Sequence, residues 1–158
     1  MHSIVIETPL GKAIISGDDM GVCEITVTKE TDIEQSAAIP SCLQEAADQL
    51  SAYFEGKRTT FDLELNPKGT VFQKKVWKML LEIPYGKTWS YMDMAKKMGD
   101  PKTIRAVATA NGKNPLWIVV PCHRVIGSDG SLTGYAGGLW RKKWLLDHEN
   151  PVKQQSLF

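Results

Sequence analysis

The tetrapeptide Pro121-Cys122-His123-Arg124 carries the residue types with the most distinctive chemistry in this chain. A cysteine is nucleophilic as the thiolate, so its reference pKa of about 8.5 has to fall before it reacts at neutral pH. The neighbouring His123 and Arg124 offer an electropositive setting, and a carboxylate further along the chain could orient the imidazole. In an extended segment, Cys122 and His123 would point to opposite faces, and a bridging water would be needed. The pattern indicates a reactive cysteine, although the local composition by itself favours an inert buried thiol.

The segments that precede this cysteine are predicted to be helical. Two capping boxes, Thr70 with Gln73 and Ser90 with Asp93, each predict the start of a helix. Pro101 supplies the first residue of a third helix, because its fixed φ suits that position. The three predicted helices cover residues 70–82, 90–99 and 100–111.

The second and third predicted helices have the proportions of a helix-turn-helix, with a tight Gly99-Asp100-Pro101 turn between them. The third helix would be the recognition element, and Arg105 is its one long cation among small residues. Small side chains allow close approach to a surface, and a single arginine can then reach into a base stack or groove. Helix propensity and core packing explain the alanines equally well. A short apolar strand at residues 117–120 is predicted to lead on to Cys122.

The first part of the chain is predicted to be a small sheet with one helix. Apolar and polar residues alternate in short segments between turns, which is typical of half-buried strands. The helix has an apolar stripe that includes Leu43 and Leu50, and it stops at Gly56. Asn66-Pro67-Lys68-Gly69 is the best candidate boundary, so the predicted domains are 1–66 and 67–158. The predicted strands are residues 3–7, 12–16, 22–28 and 60–65, and the helix is 41–55.

Charge is distributed unevenly along the chain, although the net charge is only +1. Residues 1–66 contain 4 Lys and Arg against 12 Asp and Glu, whereas residues 67–158 contain 15 against 6. A solvated face explains a single charged run, but an excess spread over a whole domain indicates a polyanionic partner. The second domain is therefore expected to bind nucleic acid.

The composition also limits the protein's compartment and cofactors. Cys23, Cys42 and Cys122 are too few and too scattered for a disulfide framework. No segment is long and apolar enough to span a membrane, and the first residues lack the basic region of a secretory signal. Cys23 and His2 do not form a four-ligand set. We expect a cytoplasmic protein with reduced thiols, with no metal and no cofactor.

Several segments together resemble the signature of the O6-alkylguanine-DNA alkyltransferases, also called methylated-DNA–protein-cysteine methyltransferases. The resemblance is strong over residues 72–149 and weak in the first domain, and the chain's length and two-lobe layout match stand-alone bacterial-type members. A tetrapeptide match alone would carry a real false-positive risk, whereas agreement over many segments does not. The agreeing segments are Ser90-Tyr91, Arg105-Ala106-Val107, Asn114-Pro115, residues 121–127, residues 134–139 and residues 145–149.

The resemblance implies an α/β fold with a small ribonuclease-H-like sheet-and-helix lobe. A winged-helix-like helix-turn-helix lobe follows and carries the active-site cysteine. The implied function is DNA repair by irreversible, stoichiometric transfer of the alkyl group from O6-alkylguanine to Cys122. O4-alkylthymine is a second candidate substrate. The implied protein is a monomer that needs no cofactor and flips the damaged base out of double-stranded DNA through the minor groove.

The same resemblance assigns roles to the residues around the nucleophile Cys122. His123 would act as the base through water, and Glu149 would hold it in the useful tautomer. Tyr91 would contact the flipped base and help to protonate the leaving guanine. Asn114 would brace the turn between the helix-turn-helix and the active site.

The remaining implied roles concern contacts with DNA and with the flipped base. Arg105 would fill the gap left in the duplex, beside Ala106 on the same helix. Tyr135 would form a wall of the pocket, and the backbone of Ala136 would donate a hydrogen bond to guanine O6. The carbonyl groups of Cys122 and Val125 would accept hydrogen bonds from the exocyclic amine.

Two features depart from this pattern or lie outside it. Trp117 stands where relatives carry a smaller residue or proline, which predicts weaker reaction with benzyl than with methyl adducts. The tail Gln154-Gln155-Ser156-Leu157-Phe158 resembles the short peptide by which bacterial proteins bind the DNA sliding clamp. A frayed terminus is the alternative for this tail.

Two other function classes compete with alkyl transfer. A binding-only alkyltransferase-like protein would recognise the lesion without removing it, but such relatives lack the cysteine that is present here as Cys122. A cysteine hydrolase would use similar Cys-His chemistry. Neither a papain-like nor a caspase-like pattern occurs in the sequence, and a hydrolase would leave the basic second domain unexplained.

Overall fold

The computed structural model describes residues 1–30, 32–132, 135 and 138–150. The chain divides into two compact units. Of the described residues, the sheet unit contains those up to residue 68 together with Pro115–Val119, and the helical unit contains Gly69–Asn114 and those from Val120 to Asn150. Within the described ranges, none of the helices combines the length and apolar character that a membrane span requires.

The sheet unit is a three-stranded antiparallel sheet that packs against one helix. β1 (His2–Thr8), β2 (Gly11–Asp18) and β3 (Gly21–Thr28) pair in chain order, as their alternating pattern predicts. α1 (Ser41–Phe54) then buries its apolar stripe. The predicted strands at residues 3–7, 12–16 and 22–28 and the predicted helix at 41–55 are confirmed. The core of the unit is apolar and consists mainly of Ile4, Leu10, Ile15, Ile25, Leu43, Leu50 and Tyr53.

The predicted strand at residues 60–65 is wrong, because a side chain holds the middle of this segment and only its end pairs with β3. The Gln49 side chain donates a hydrogen bond to the Asp62 carbonyl at 3.0 Å and accepts one from the Asp62 N–H at 2.9 Å. Only Leu65 forms a bridge, in parallel with Val22. A glutamine thus satisfies backbone groups that a neighbouring strand would otherwise have paired.

The predicted strand at residues 117–120 is also wrong, because these residues form a turn. Leu116 bridges Ile25 of β3 in parallel, and the Trp117 N–H donates to the Ile25 carbonyl at 3.1 Å. Ile118 then adopts a φ of 70°, a left-handed conformation that is strained for a β-branched residue. Pairing with β3 places Pro115–Val119 in the sheet unit, whereas the sequence assigned it to the second domain.

Where the structure describes it, the helical unit contains four α-helices and a two-stranded sheet. Thr70 and Ser90 cap α2 and α3 through both hydrogen bonds of a capping box, so both predicted starts are confirmed. The third predicted helix begins with a 3₁₀ turn, Pro101–Thr103, and continues as α4. The sequence did not reveal the two short parallel strands. These elements are α2 (Val71–Leu80), β4 (Trp89–Ser90), α3 (Tyr91–Lys97), α4 (Ile104–Gly112), β5 (Val125–Ile126) and α5 (Leu139–Glu149).

Candidate active site

Cys122 begins a short 3₁₀ turn, Cys122–Arg124, that leads directly into β5. The turn replaces the extended geometry that the sequence suggested, so successive side chains rotate around an axis instead of alternating between two faces. The Cys122 side chain is buried, and burial raises the pKa of its thiol, while a hydrogen bond from Asn114 and the charge of Lys142 lower it. Because burial dominates, the thiol is protonated at rest and needs a proton acceptor to become nucleophilic.

The end of α4 holds the backbone around this cysteine. The Asn114 amide donates a hydrogen bond to the Val120 carbonyl at 2.7 Å, consistent with the bracing position predicted for Asn114. Asn111, which the sequence analysis did not single out, is buried and its amide lies 3.5 Å from the Cys122 carbonyl. Asn111 lies three residues before Asn114, and residues at i and i+3 of a helix share a face. This spacing could have identified Asn111 from the sequence.

His123 and Glu149 form a fully buried pair, although 26 positions separate them in the chain. Their Nε2 and Oε2 atoms are 2.8 Å apart. Burial opposes ionisation of Glu149, but hydrogen bonds from His123 and Arg124, together with the positive charge of Arg124, lower its pKa to about 2. Burial lowers the pKa of His123, although Glu149 raises it, so the imidazole is neutral.

The tautomer of His123 follows from its partner. An ionised carboxylate only accepts hydrogen bonds, so His123 carries its proton on Nε2 and Nδ1 keeps its lone pair. Nδ1 is buried and has no hydrogen-bond partner within the described part of the chain. This atom is therefore available as a proton acceptor, on the residue next to the thiol.

Arg124 neutralises the carboxylate of this pair. Its guanidinium makes two hydrogen bonds to Glu149, at 2.7 and 3.0 Å, and a third to the Ile83 carbonyl at 2.7 Å. Such a bidentate contact fixes the carboxylate as well as pairing its charge. From the sequence alone, Arg124 is expected only to make the surroundings of the thiol electropositive, because neither of its partners is near it in the chain.

Lys142 is a site residue that the sequence analysis missed. It lies on the buried face of α5 with a fully buried side chain, and its Nζ is 5.7 Å from the centre of the Tyr91 ring. Burial lowers its pKa to about 8, while the charge of Cys122 acts to raise it. Lys142 precedes Glu149 by seven residues, which is about two helical turns, so the two residues share a helix face. This spacing could have identified Lys142 from the sequence.

The other predicted site residues occupy different parts of the helical unit. Tyr91 is the first residue of α3 and is half-buried, and Val125 is fully buried in β5. Tyr135 is half-buried and its carbonyl accepts a hydrogen bond from Gly138. Ala136 lies outside the described residues.

Arg105 and Ala106 are exposed in the first turn of α4. They border a groove of about 360 Å³ that also involves the start of α2. The structure therefore presents the predicted recognition helix with its long cation at the surface. The other residues of the groove are Thr70, Phe72, Gln73, Thr109 and Ala110.

Trp117 lies in the sheet unit, where its side chain is buried and its ring centre is 6.0 Å from that of Phe54. Its indole Nε1 has no hydrogen-bond partner among residues 1–30, 32–132, 135 and 138–150. Across the same ranges, no group of three or more His, Cys, Asp or Glu residues is placed to hold a metal ion.

The buried groups around Cys122 form a site suited to activating a nucleophile. A protonated thiol is followed in the chain by a neutral imidazole with a free acceptor atom, and an ion pair fixes that imidazole from its other side. This arrangement can remove a proton from sulfur without accumulating unpaired charge.

Comparison with known proteins gives concordant results over both units. A family model described as "6-O-methylguanine DNA methyltransferase, DNA binding domain" matches residues 71–151, and one described as "6-O-methylguanine DNA methyltransferase, ribonuclease-like domain" matches residues 1–67. The methylated-DNA–protein-cysteine methyltransferase of Methanosarcina barkeri is 47% identical over 156 residues, covering 94% of this chain and 97% of its own. The Mycobacterium tuberculosis protein of the same name is 46% identical over 153 residues, with 94% and 92% covered.

Solved structures agree with this result. The crystal structure of Mycobacterium tuberculosis OGT in complex with DNA superimposes with a TM-score of 0.85 at 44% identity. The match covers 97% of this chain and 97% of that one. The α/β fold predicted from the sequence, with a sheet-containing first lobe and a helical second lobe, is confirmed.

Proposed function

The chain belongs to the 6-O-methylguanine DNA methyltransferase family, and from this premise we propose that Cys122 is the residue on which it receives the alkyl group. The protein is a methylated-DNA–protein-cysteine methyltransferase that repairs DNA by alkyl transfer to a cysteine. The observation that carries the choice of Cys122 is the buried His123–Glu149 pair beside it.

The other two cysteines lack such surroundings. The Cys23 thiol lies 3.5 Å from the Ser16 carbonyl and 3.7 Å from the Met1 sulfur, neither of which can take up a proton. Cys42 borders a groove in the sheet unit that is rich in carboxylates, which cannot stabilise a thiolate. Among the three cysteines, Cys122 alone directly precedes a histidine that is fixed by a carboxylate.

The proposed reaction begins with removal of the proton from the Cys122 thiol by Nδ1 of His123, through a water molecule. Glu149 stabilises the resulting imidazolium through Nε2, as a buried carboxylate does in other nucleophilic sites. The thiolate attacks the alkyl carbon, so that the S–C bond forms as the C–O6 bond breaks. The bonding electrons leave with guanine, which takes a proton that we assign to the Tyr91 hydroxyl.

The product explains why each molecule would act once. An S-alkyl thioether is not cleaved by water under ordinary conditions, so the Cys122 side chain does not return to a thiol. The proposed reaction is therefore stoichiometric and irreversible. It needs no electron acceptor, because no atom changes its oxidation state overall.

Access to the alkyl group is proposed to require base flipping. An O6-alkyl group is enclosed in the stacked duplex, and a damaged pair opens at lower cost than an intact one. Arg105 and Ala106 are exposed on α4 among small residues. This surface suits approach to the minor groove, where the Arg105 side chain would fill the space that the flipped base leaves in the duplex. The positive charge of the second domain suits contacts to phosphates. We further propose that Tyr135, Ala136 and the Val125 carbonyl surround the flipped base.

Three narrower proposals depend on the sequence alone. The residues Gln154–Phe158, which lie outside the described part, are proposed to bind the DNA sliding clamp. Deleting Leu157 and Phe158 should then abolish clamp binding without changing alkyl transfer. Trp117 is proposed to disfavour benzyl relative to methyl adducts, so Trp117→Pro should raise the benzyl-to-methyl rate ratio. We also propose that the protein acts as a cytoplasmic monomer.

The central test uses the full-length protein and a duplex that contains one O6-methylguanine. After incubation, mass spectrometry should find the Cys122 peptide heavier by one methyl group in exchange for hydrogen, with one lesion repaired per protein molecule. Cys122→Ser should repair nothing, whereas Cys23→Ser and Cys42→Ser should behave as the wild type. Methylation of another cysteine, or repeated turnover without modification, would contradict the assignment.

A further inference from the structure

We propose that Asn111 is a positioning residue of this reaction, whose side-chain oxygen holds the water molecule that passes the Cys122 proton to His123. The inference rests on the proposed function, in which Nδ1 of His123 removes that proton through water. It gives this water a second anchor, so that the path of the proton has a fixed geometry.

Asn111 lies on the buried face of α4. It follows Val107 by four residues, and both side chains are buried, at the spacing of one side of a helix. An apolar residue fills such a position without desolvating a polar group, whereas a buried amide costs free energy unless its donor and its acceptor are both hydrogen-bonded. An asparagine at this position therefore indicates a use for its polar atoms.

The two polar atoms of the Asn111 side chain differ in their contacts. Nδ2 lies 3.5 Å from the carbonyl oxygen of Cys122. Oδ1 is buried and has no hydrogen-bond partner in the described part of the chain. Because both atoms belong to one amide group, Oδ1 also lies close to the Cys122 backbone. Buried polar atoms of this kind are commonly satisfied by a bound water molecule.

The nearby protein donors already have acceptors. The Cys122 N–H donates to the Val120 carbonyl at 2.8 Å, and the Asn114 amide donates to the same carbonyl at 2.7 Å and to the Cys122 thiol. The Asn114 N–H donates to the main-chain carbonyl of Asn111 at 3.3 Å. Water is therefore the donor that suits Asn111 Oδ1.

His123 provides a second buried acceptor beside Cys122. Its Nδ1 keeps a lone pair because Nε2 donates to Glu149, and the described ranges offer this atom no partner either. One water molecule has two hydrogens for the two acceptors, and its oxygen can accept the Cys122 S–H. As the water gives a proton to Nδ1 it takes the thiol proton, so it remains water and the products are a thiolate and an imidazolium. Asn111 Oδ1 transfers no proton.

The end of α4 is held in place, which suits an anchoring role. The buried indole N–H of Trp77, on α2, donates to the Ala110 carbonyl at 2.9 Å, one residue before Asn111. An anchor with a fixed position keeps the water in the orientation that proton transfer requires, so less has to be organised when the proton moves.

Replacing Asn111 changes no charge in the site, because its amide does not titrate. The charged and titratable groups around the thiol come from the turn, from α3 and from α5, and all of them are retained in a variant at this position. An altered pH dependence can therefore be assigned to the path of the proton. These groups are His123, Arg124, Tyr91, Lys142 and Glu149.

The kinetic test compares Asn111→Leu with the matched control Val107→Ala, which removes buried volume from the same helix face but no polar atom. Single-turnover methyl transfer is measured with the full-length proteins between pH 6 and pH 10. We expect Asn111→Leu to slow transfer about tenfold at pH 7, because the relay loses its anchor. The deficit should shrink as the pH rises, since hydroxide then removes the thiol proton directly. Val107→Ala should keep the wild-type rate per folded molecule at every pH.

A crystal structure of the wild-type protein tests the same proposal without activity. It should show an ordered water within about 3.2 Å of both Asn111 Oδ1 and His123 Nδ1, which Asn111→Leu should lack. Absence of this water from the wild type, or a deficit that is the same at every pH or shared by Val107→Ala, would overturn the proposal. If Asn111→Leu does not fold, as judged by circular dichroism, Asn111→Val is measured in the same way and decides the question. Failure of wild-type Cys122 to become methylated would instead refute the proposed function, while the crystal structure would still decide the position of the water.

Discussion

The interiors of the two units differ in the kind of side chain they enclose. In the sheet unit, the largest fully buried side chains are aliphatic, with Tyr53 as the aromatic exception. In the helical unit, His123, Arg124, Lys142 and Glu149 are buried among apolar residues. Burial of apolar surface stabilises a fold, whereas burial of charge costs free energy unless the charges are paired.

The buried charged residues lie in the same unit as the proposed site of alkyl transfer. Buried charges are retained in the unit that carries Cys122, the proposed alkyl acceptor, where a low dielectric strengthens their effect on sulfur and imidazole. The sheet unit contains no comparable cluster in its described residues. We therefore expect substitutions in the helical core to alter stability and reactivity together, and substitutions in the sheet core to alter stability alone.

The largest effect is expected for Glu149→Gln. This change leaves Arg124 buried without a counter-charge and gives His123 at best a neutral, weaker acceptor, so the unfolding free energy should fall by about 3–5 kcal/mol. Methyl transfer by the remaining folded protein should also fall at least tenfold, because the imidazolium loses its counter-charge. Urea unfolding and single-turnover rates measure the two effects. The control Asp147→Asn removes an exposed pair on the same helix and should cost less than about 1 kcal/mol. Wild-type stability in Glu149→Gln would refute the difference between the units.

Leu50→Ala tests the sheet unit in the same way. Leu50 is fully buried, so its truncation should lower the unfolding free energy by about 3 kcal/mol through lost burial and a residual cavity. The rate of methyl transfer per folded molecule should not change at a temperature where the variant remains folded. The exposed neighbour Ser51→Ala is the matched control and should be nearly neutral. A transfer rate that falls in parallel with stability would show that the sheet core contributes to the chemistry.

The smallest effect concerns the dependence of stability on pH. The pKa of His123 is lowered in the folded protein, mainly by burial, so the unfolded chain binds the proton more readily. The stability that this group contributes is complete above its ordinary pKa of about 6.5 and declines as the pH falls through and below it. Glu149, with a pKa of about 2, loses its contribution only in a lower window, from about pH 4.5 downward.

His123→Gln should therefore flatten the decline in unfolding free energy between pH 7 and pH 5 by about 1 kcal/mol. Urea unfolding at closely spaced pH values measures this slope. The steeper decline below pH 4.5 should persist, because Glu149 is retained, and that second window serves as an internal control. An unchanged slope between pH 7 and pH 5 would show that the folded protein does not exclude the proton from His123.

Local sequence signals predicted β1 to β3 and α1 to α4, but not β4, β5 or α5. The two capping boxes and the alternation of β1 to β3 depend on residues within a few positions of one another, so their physical cause is contained in the sequence segment itself. The two false strands at residues 60–65 and 117–120 show the limit of such signals. The alternating residues 60–65 and the apolar residues 117–120 resemble strands, but the Gln49 side chain and pairing with β3 decide their conformation.

By itself, the sequence determined that a histidine follows Cys122, that residues 67–158 carry an excess of positive charge, and that the chain resembles one family of alkyltransferases. Only the tertiary structure decided which groups surround that cysteine. The partners of Arg124 lie 25 and 41 positions away in the chain, and Lys142 is buried because α5 turns that face inward. Desolvation and charge pairing act through space, so the pKa values of the site depend on packing that no local pattern contains.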